Sequence, residues 1–300
     1  MENILKKIEK AGTHDGSFHA DEVNGWVLVK ELWPDAALVR TRDKSILETC
    51  DLVFDVGGGK FDHHKEDREK RDNGIYYSGV GLLWREFGEF IIKKYAADFD
   101  DNEVKNVVRK FDNDFLLPIC AEDNGQKIYN SEYKIKTYSG VIGEFNPTCN
   151  EDTTLDSAFY EAAAFAQFIF RNELRKAISY VERKLIIREA LNNRKIPEIL
   201  ILDRRIPWKE ALLDLDTKKE VLYTVYPTDK GTFNVQAVPK QIDSFENRKD
   251  LPAVWGGVKD EDFEEVAKVK GSIFCHANLF LAGAETIDGA VQLAEIAVSA

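Results

Sequence analysis

The sequence predicts an α/β protein with a larger first domain on a mostly parallel sheet flanked by helices, then a long linking helix and a smaller α+β domain. Its 300 residues are 44% hydrophobic and 31% charged, a composition and length that suit two folded domains better than one. Predicted strands alternate with predicted helices in the first half, which is typical of a parallel sheet. A polar break at 145–156, rich in Asn, Asp, Thr and Pro, separates this half from the rest.

Residues 1–150 are predicted to form the first domain. Apolar residues recur at helical spacing in some of its segments and form short unbroken runs in others. This pattern predicts helices beginning near Asp21, at Ser78 and at about 101 (to 116), and strands over 36–43 and 50–59. The second strand finishes on Asp55 and a Gly-rich turn, the place where open α/β sheets bind ligands.

A helical linker is predicted over 151–196, because its long apolar-periodic stretch contains no Gly or Pro. The second domain is expected over 197–300. Its pattern predicts a strand over 198–203, a hairpin over 219–240, one strand entering a turn within 271–283, and a closing helix with Thr286 as N-cap.

Charge and cysteine content exclude several classes of protein. There are 41 Lys and Arg against 53 Asp and Glu, a net charge of −12, which argues against binding duplex DNA through the overall field. Within 171–195, however, there are eight basic residues and only three Glu, and this basic helix could line a cleft. The four cysteines form no CxxC pair, which argues against a zinc ribbon or a disulfide scaffold. With no apolar leader and no membrane-length apolar run, we expect a cytoplasmic protein without a membrane partner.

The histidines are the main evidence for function. Four of the five lie in the first 64 residues, in two clusters with acids close by. The clusters contain His14 and His19 with Asp21 and Glu22, and His63 and His64 with Asp62 and the upstream Asp55. Imidazole and carboxylate ligands together suit Mn²⁺, Fe²⁺, Co²⁺ or Zn²⁺. Because the candidate ligands outnumber those of one tetrahedral site, two metal ions fit the count better.

Several blocks of sequence resemble a known family. Asp62-His63-His64, with the upstream Asp55-Val56-Gly57 and a later isolated Asp, resembles the DHH phosphoesterase superfamily. The opening block, Gly12 to Glu22 (GTHDGSFHADE), resembles the Myg branch, the melanocyte-proliferating-gene family. Further matching blocks follow in order: Val39-Arg40-Thr41-Arg42-Asp43, Asp123-Asn124-Gly125, Asn146-Pro147-Thr148, Leu202-Asp203 with Pro207-Trp208, and Phe274-Cys275-His276-Ala277. Members of this family are read as metal-dependent 3′–5′ exonucleases acting on RNA.

The resemblance implies a set of metal ligands. The first ion would be bound by His14, His19 and Asp55, and the second by Asp21, Asp55, His63 and Asp123. His19 departs from the superfamily pattern, in which aspartates follow the first histidine, so it would bind either metal or substrate. Among the late acids Asp123 is chosen because Asn-Gly follows it, with Asp112 and Asp114 as alternatives. His64 would face the substrate phosphate, and Asp62 would orient the histidine pair.

The resemblance also implies that the second domain binds substrate. The family's Gly-Gly pair is reduced here to Gly283, and His276, Arg204 and Arg205 are candidate phosphate contacts. His276, as a lone histidine, and the two arginines are equally well read as ordinary surface residues.

We therefore expect a phosphodiesterase that uses two divalent ions, Mn²⁺ first and Mg²⁺, Co²⁺ or Zn²⁺ as alternatives, on single-stranded RNA or DNA or a short oligonucleotide. One alternative is a phosphatase of small substrates such as pAp, nucleotides or pyrophosphate. Another is a metal-binding regulatory protein without turnover. The polarity of cleavage and a homodimeric state are left open.

Overall fold

The computed structural model describes residues 5–242 and 244–300 and divides the chain into two compact units. The first unit ends at Ile178 and the second covers Ser179–Ala300. The division lies inside one long helix, Leu155–Asn193. The domain and linker bounds expected from the sequence stay a prediction.

A three-stranded parallel sheet organises the first unit. Its strands are β1 (Lys10–Thr13), β2 (Ala37–Arg40) and β3 (Leu52–Val53), in the order β2-β1-β3. The predicted α/β class with a parallel sheet is confirmed. Sequence reasoning missed β1, the middle strand, because its four residues KAGT offer almost no apolar pattern.

Helices bury much of this unit's apolar surface. They are α1 (Ala20–Leu32), α2 (Lys44–Leu47), α3 (Gly79–Tyr95), α4 (Asp101–Phe111), α5 (Leu117–Asp123), α6 (Tyr138–Gly143) and α7 (Leu155–Asn193). The helix predicted from 101 to 116 ends its α-helical part at Phe111, and a π-helical segment, Asp112–Leu116, leads into α5. Trp84 of α3, Phe111 of α4 and Phe170 of α7 pack together, with ring centroids 4.4 Å and 4.9 Å from that of Phe111.

The second unit contains a five-stranded mixed sheet. Its elements are β4 (Ile199–Ile201), α8 (Lys209–Leu215), β5 (Tyr223–Pro227), β6 (Phe233–Ala237), a 3₁₀ turn (Ala253–Trp255), α9 (Asp260–Ala267), β7 (Ser272–Cys275), β8 (Leu281–Ala284) and α10 (Ile287–Ser299). The sheet order is β4-β5-β6-β8-β7, with β4 and β5 parallel and the other pairs antiparallel.

Two expectations for this unit have clear outcomes. Thr286 caps α10 as predicted, since its hydroxyl accepts a hydrogen bond from the Gly289 N–H at 3.1 Å. The strand entering a turn that was predicted within 271–283 is present as β7, but the prediction lacked the second strand, because the chain reverses there and β8 pairs antiparallel with β7. Across the described residues, no helix combines the length and apolarity that a membrane crossing requires.

Candidate metal centre

The ends of two neighbouring parallel strands bring the first candidate ligands together. His14 directly follows β1, and Asp55 comes two residues after β3. Because the carboxyl ends of parallel strands meet at one edge, His14 Nε2 lies 3.4 Å from Asp55 Oδ2. Asp55 adopts a left-handed backbone conformation with φ of 59°, which is uncommon outside glycine and aims its side chain at this edge.

The first turn of α1 supplies two buried carboxylates. Glu22 closes the helix N-terminus in a capping box, its Oε1 accepting the His19 N–H at 2.9 Å. The same oxygen lies 3.0 Å from His14 Nε2, whereas Glu22 Oε2 is buried without a hydrogen-bond partner. A buried carboxylate oxygen without a partner carries the full cost of desolvation, and a cation beside it would offset that cost.

Asp21 serves the N-terminus of a different helix. Its carboxylate accepts hydrogen bonds from the Gly79 and Val80 N–H groups, both at 2.8 Å, and from the Ser78 hydroxyl. The positive end of the α3 dipole therefore faces this acid. Gly79 is required for the approach, since a Cβ there would lie 2.8 Å from Asp21 Oδ2 and 3.0 Å from Asp55 Cβ.

His63 lies between Asp55 and one further carboxylate, Asp123. Its Nε2 is 3.0 Å from Asp55 Oδ1 and 3.0 Å from Asp123 Oδ2. Its Nδ1 lies 3.2 Å from Asn124 Oδ1, and the Asn124 amide donates to the carbonyls of Cys120 and Tyr77. Asn124 Oδ1 is therefore the acceptor, and His63 Nδ1 donates to it.

The same reasoning fixes the proton on His14. Its Nδ1 lies 2.9 Å from the Asp15 carbonyl oxygen, which only accepts, so Nδ1 carries the hydrogen. In both histidines the remaining nitrogen, Nε2, faces two carboxylates. A bare lone pair is repelled there, so the geometry favours either a proton or a metal ion at Nε2.

The pKa values of these side chains are shifted because carboxylates outnumber imidazoles in the cluster. Burial alone would lower the pKa of His14, but hydrogen bonds to Asp55 and Glu22 outweigh it and raise the pKa to about 10. For His63, burial is likewise outweighed by hydrogen bonds to Asp123 and Asp55, and the pKa rises to about 11. The pKa of Asp21 is raised well above its ordinary value, first by burial and then by the negative charges of Asp55 and Asp123.

Three groups of side chains have the spacing to hold a metal ion, each with ligand atoms within 4.8 Å of one another. They are His14 with His19 and Glu22, Asp55 with His63 and His64, and Asp21 with His63 and Asp123. Mixed nitrogen and oxygen donors of this kind suit Mn²⁺ and related divalent transition-metal ions, whereas Mg²⁺ prefers the carboxylate oxygens among them. Glu22 Oε2 has no hydrogen-bond partner, and the Nε2 atoms of His14 and His63 each face two carboxylates. A bound cation would satisfy all three atoms, so these side chains are suited to hold a metal ion.

Five of the six predicted ligands are buried or half-buried, and the sixth, His19, is exposed but has a ring nitrogen within 4.8 Å of the ligand atoms of His14 and Glu22. The five are His14, Asp21, Asp55, His63 and Asp123. His19 is the exposed N-cap of α1, with its ring centroid 6.3 Å from that of His14. The alternatives to Asp123 have other partners, since Asp112 pairs with Arg71 and Asp114 with Lys110.

His64 and Asp62 lie at the rim of this cluster. The Asp62 carboxylate accepts hydrogen bonds from the Gly58 N–H at 2.6 Å and the His64 N–H at 3.0 Å. It also lies 2.9 Å from His64 Nδ1, and the His64 side chain is 63% exposed. Asp62 thus holds the His64 ring with Nε2 free to face solvent.

The candidate substrate contacts of the second unit have ordinary partners in this structure. Arg204 pairs with its neighbour Asp203, and Arg205 pairs with Asp229. Gly283 of β8 packs against Phe274, whose ring would lie 2.6 Å from a Cβ at that position. His276 is exposed and accepts the Asn278 N–H at Nδ1. Their role with substrate stays a prediction.

Sequence reasoning left two residues out of the site. The predicted ligands include Asp21 but not its neighbour Glu22. Adjacent acids in the first turn of a helix point about 100° apart and contact different neighbours, and this spacing is the signal that could have identified Glu22. Asn124 was used only to select Asp123. No sequence signal indicated its hydrogen bond to His63, which depends on the turn after α5.

Comparison with known proteins agrees with the motif blocks. The family model MYG1_exonuc, described as "Uncharacterised protein family (UPF0160)", matches residues 10–298. The MYG1 protein of Dictyostelium discoideum is 32% identical, covering 94% of each chain. The MYG1 protein of Schizosaccharomyces pombe is 30% identical, with 98% of each chain covered. MYG1 exonuclease of Rattus norvegicus is 30% identical, covering 97% of this chain and 85% of the relative.

Among solved structures, RecJ of Thermus thermophilus in complex with Mn²⁺ matches at 13% identity with a TM-score of 0.30. The match covers 97% of this chain but only 52% of RecJ, about half its length. The match to the MYG1 proteins is a match in sequence, and it covers nearly the whole length of both chains. The predicted Myg branch is confirmed, and the chain belongs to the MYG1 family.

Proposed function

We propose that this protein is a phosphodiesterase that depends on divalent metal ions and removes nucleotides from an end of single-stranded RNA or DNA. One observation carries the proposal. The two oxygens of Asp55 face different histidines, Oδ2 facing His14 at 3.4 Å and Oδ1 facing His63 at 3.0 Å. A carboxylate placed between two sets of candidate ligands in this way supports a site for two metal ions. That several relatives are named MYG1 exonuclease supports the same reaction class.

The donor atoms divide into two sets around Asp55. His14 and Glu22 would hold one ion together with Asp55, with His19 at its exposed side. Asp21, His63 and Asp123 would hold the other with Asp55. We propose Mn²⁺ as the ion, with Mg²⁺, Co²⁺ or Zn²⁺ as alternatives. When bound, such ions supply water activation near neutral pH and neutralise the charge that develops on a phosphate.

The chain's own residues orient these donors. The α3 N-terminus fixes both oxygens of Asp21, and Asn124 holds the His63 ring so that Nε2 points at Asp55 and Asp123. A partner that fixes a ligating imidazole commonly changes metal affinity severalfold or more. His64, held at Nδ1 by Asp62, presents Nε2 at the rim, where a protonated ring would donate to a phosphate oxygen.

To test the proposal, purified protein is incubated with Mn²⁺ and, in parallel reactions, with a 5′-labelled single-stranded oligonucleotide, pAp or pyrophosphate. The expected result is a ladder of shortened labelled oligonucleotides if nucleotides leave from the 3′ end, or a labelled mononucleotide if they leave from the 5′ end. Either product should disappear in Asp55→Asn and His63→Ala. Asp98→Asn, a change at an exposed acid outside the cluster, is the matched control and should keep the product.

Other outcomes would overturn the proposal. Phosphate released only from pAp or pyrophosphate would identify a small-substrate phosphatase. Two bound ions with no turnover of any substrate would identify a regulatory metal-binding protein. Less than one ion bound per chain would reject the metal centre itself.

A further inference from the structure

The second unit contains a basic pocket of about 600 Å³ that none of the candidate metal ligands lines. Its charged lining residues are three cations and one acid: Arg183, Arg205, Lys209 and Glu210. In a chain with a net charge of −12, a concave surface with this excess of positive charge is unusual. Such a surface favours an anionic ligand.

Two of the cations have no acidic partner. Arg183 lies on α7, where Nη1 donates to the Ser179 hydroxyl one turn earlier at 2.9 Å, and its Nε is buried without a hydrogen-bond partner. Among the described residues, neither Arg183 nor Lys209 forms an ion pair with a carboxylate. Arg205, by contrast, is exposed and paired with Asp229. The pocket therefore presents two cations that form no ion pair, against the single acid of its lining, Glu210, and the serine holds Arg183 in place.

The rest of the lining is mostly apolar, with two aromatic side chains and one amide: Ile206, Pro207, Trp208, Tyr226, Gln236 and Ile242. Trp208 is buried, with 3% of its surface exposed, and Tyr226 is 8% exposed. The Tyr226 hydroxyl donates to Gln236 Oε1 at 2.7 Å, which leaves the Gln236 amide N–H groups for another acceptor. A cationic end beside an apolar wall with amide donors matches a phosphate attached to a planar ring.

We propose that this pocket binds the phosphate group of a nucleotide, with Arg183 and Lys209 contacting the phosphate oxygens and Arg205 at the mouth. The choice of a nucleotide over other organic phosphates rests on the proposed function. The phosphate could belong to a free mononucleotide or to the terminal nucleotide of a strand, and the two sources share this chemistry.

The experiment is calorimetric titration of the full-length protein in EDTA, so that divalent ions do not contribute. The probes are AMP, adenosine, inorganic phosphate and a short single-stranded oligonucleotide with a 5′-phosphate. We expect AMP or the oligonucleotide to bind and adenosine to bind at least tenfold more weakly. Arg183→Gln and Lys209→Gln should each weaken binding about tenfold or more, because each removes a charge-assisted hydrogen bond.

Matched variants keep the change in charge but spare the pocket. Arg188→Gln, on the same helix, and Lys218→Gln, both at exposed positions outside the pocket, should alter affinity less than twofold. Binding of AMP identifies a mononucleotide site, whereas binding of the oligonucleotide alone identifies a strand end.

The inference is overturned if adenosine binds as tightly as AMP, if inorganic phosphate alone binds, if all four variants weaken binding equally, or if no probe binds. Its failure is distinct from failure of the proposed function. Metal-dependent cleavage with unchanged affinity in Arg183→Gln rejects the pocket alone. Nucleotide binding lost in that variant, without any cleavage, rejects the phosphodiesterase and keeps the pocket.

Discussion

Both units bury charged side chains, and one cluster in each unit shows a different way of balancing that charge. In the second unit Asp216 pairs with Arg248, their side chains being 3% and 6% exposed. Asp216 also accepts the Glu220 and Val221 N–H groups at 3.1 and 2.9 Å. Burial would raise the pKa of Asp216, yet these hydrogen bonds and Arg248 hold it below its ordinary value. In this pair each charge faces an opposite charge of the same chain, although Arg248 Nε is buried without a hydrogen-bond partner.

The cluster in the first unit has no such balance. Four carboxylates share two buried imidazoles, and one carboxylate oxygen lacks any partner. The members are Asp21, Glu22, Asp55, Asp123, His14 and His63. Since an uncompensated buried charge is costly, a chain that keeps several of them close together is built to receive positive charge from outside. Buried charge that the chain balances stabilises the fold, whereas buried charge left unbalanced indicates a binding site.

The largest expected effect comes from the shared carboxylate of the unbalanced cluster. Asp55→Asn should lower nuclease activity at least about a thousandfold, because in the proposed function this side chain is shared by both ions. The number of bound ions should fall to at most one per chain, measured by elemental analysis after gel filtration. A variant that keeps two ions and full activity would break the comparison.

The balanced pair should respond in stability and not in metal content. Arg248→Met leaves Asp216 buried without its cation, and the free energy of unfolding should fall by about 3–5 kcal/mol. Denaturant unfolding measures the loss, and elemental analysis of the folded protein should still find the wild-type metal content. Arg188→Met, at an exposed position, is the control and should change stability by less than about 0.5 kcal/mol.

Added metal should protect one unit selectively. At a hundredfold excess over the dissociation constant, ions that bind only the folded state stabilise it by about 2.7 kcal/mol. Amide hydrogen exchange should slow at residues 14–22, 55–63 and 78–80, where the candidate ligands and the α3 N-terminus lie. Exchange around 216–221 should stay unchanged. Equal slowing in both regions would contradict a centre confined to the first unit.

The smallest expected effect tests the residue that orients His63. Asn124→Ala removes the acceptor at Nδ1, and metal affinity should weaken about tenfold to a hundredfold while the protein stays folded. Metal titration measures the change. Asn102→Ala, at an exposed position of α4, is the control and should leave affinity unaltered. Unchanged affinity in Asn124→Ala would show that packing alone orients the ring.

The sequence predicted most of the fold and the site's main acids and histidines, for identifiable reasons. Helices such as α3 and α10 were predictable because apolar spacing and an N-cap appear in the local sequence. The middle strand β1 and the split into β7 and β8 were not, since short strands next to glycine or turn residues carry little pattern. Glu22 and Asn124 were missed as site residues because their roles depend on contacts between segments distant in sequence.

The candidate metal centre requires that Asp21 and Glu22 keep their directions in the first turn of α1, and these directions define the phase of the helix. Neighbouring positions on a helix differ by about 100°, so Asp21 reaches α3 while Glu22 reaches His14. A residue added before the N-cap, beside the exposed Ser17, lengthens a loop and leaves this phase intact. A residue added after Ala20 turns both acids by about 100° in the same sense. Asp21 would then point towards the partners of Glu22, and Glu22 would point away from both sets of partners. The chain thus tolerates variation in the length of this loop but not in the register of the helix that follows it.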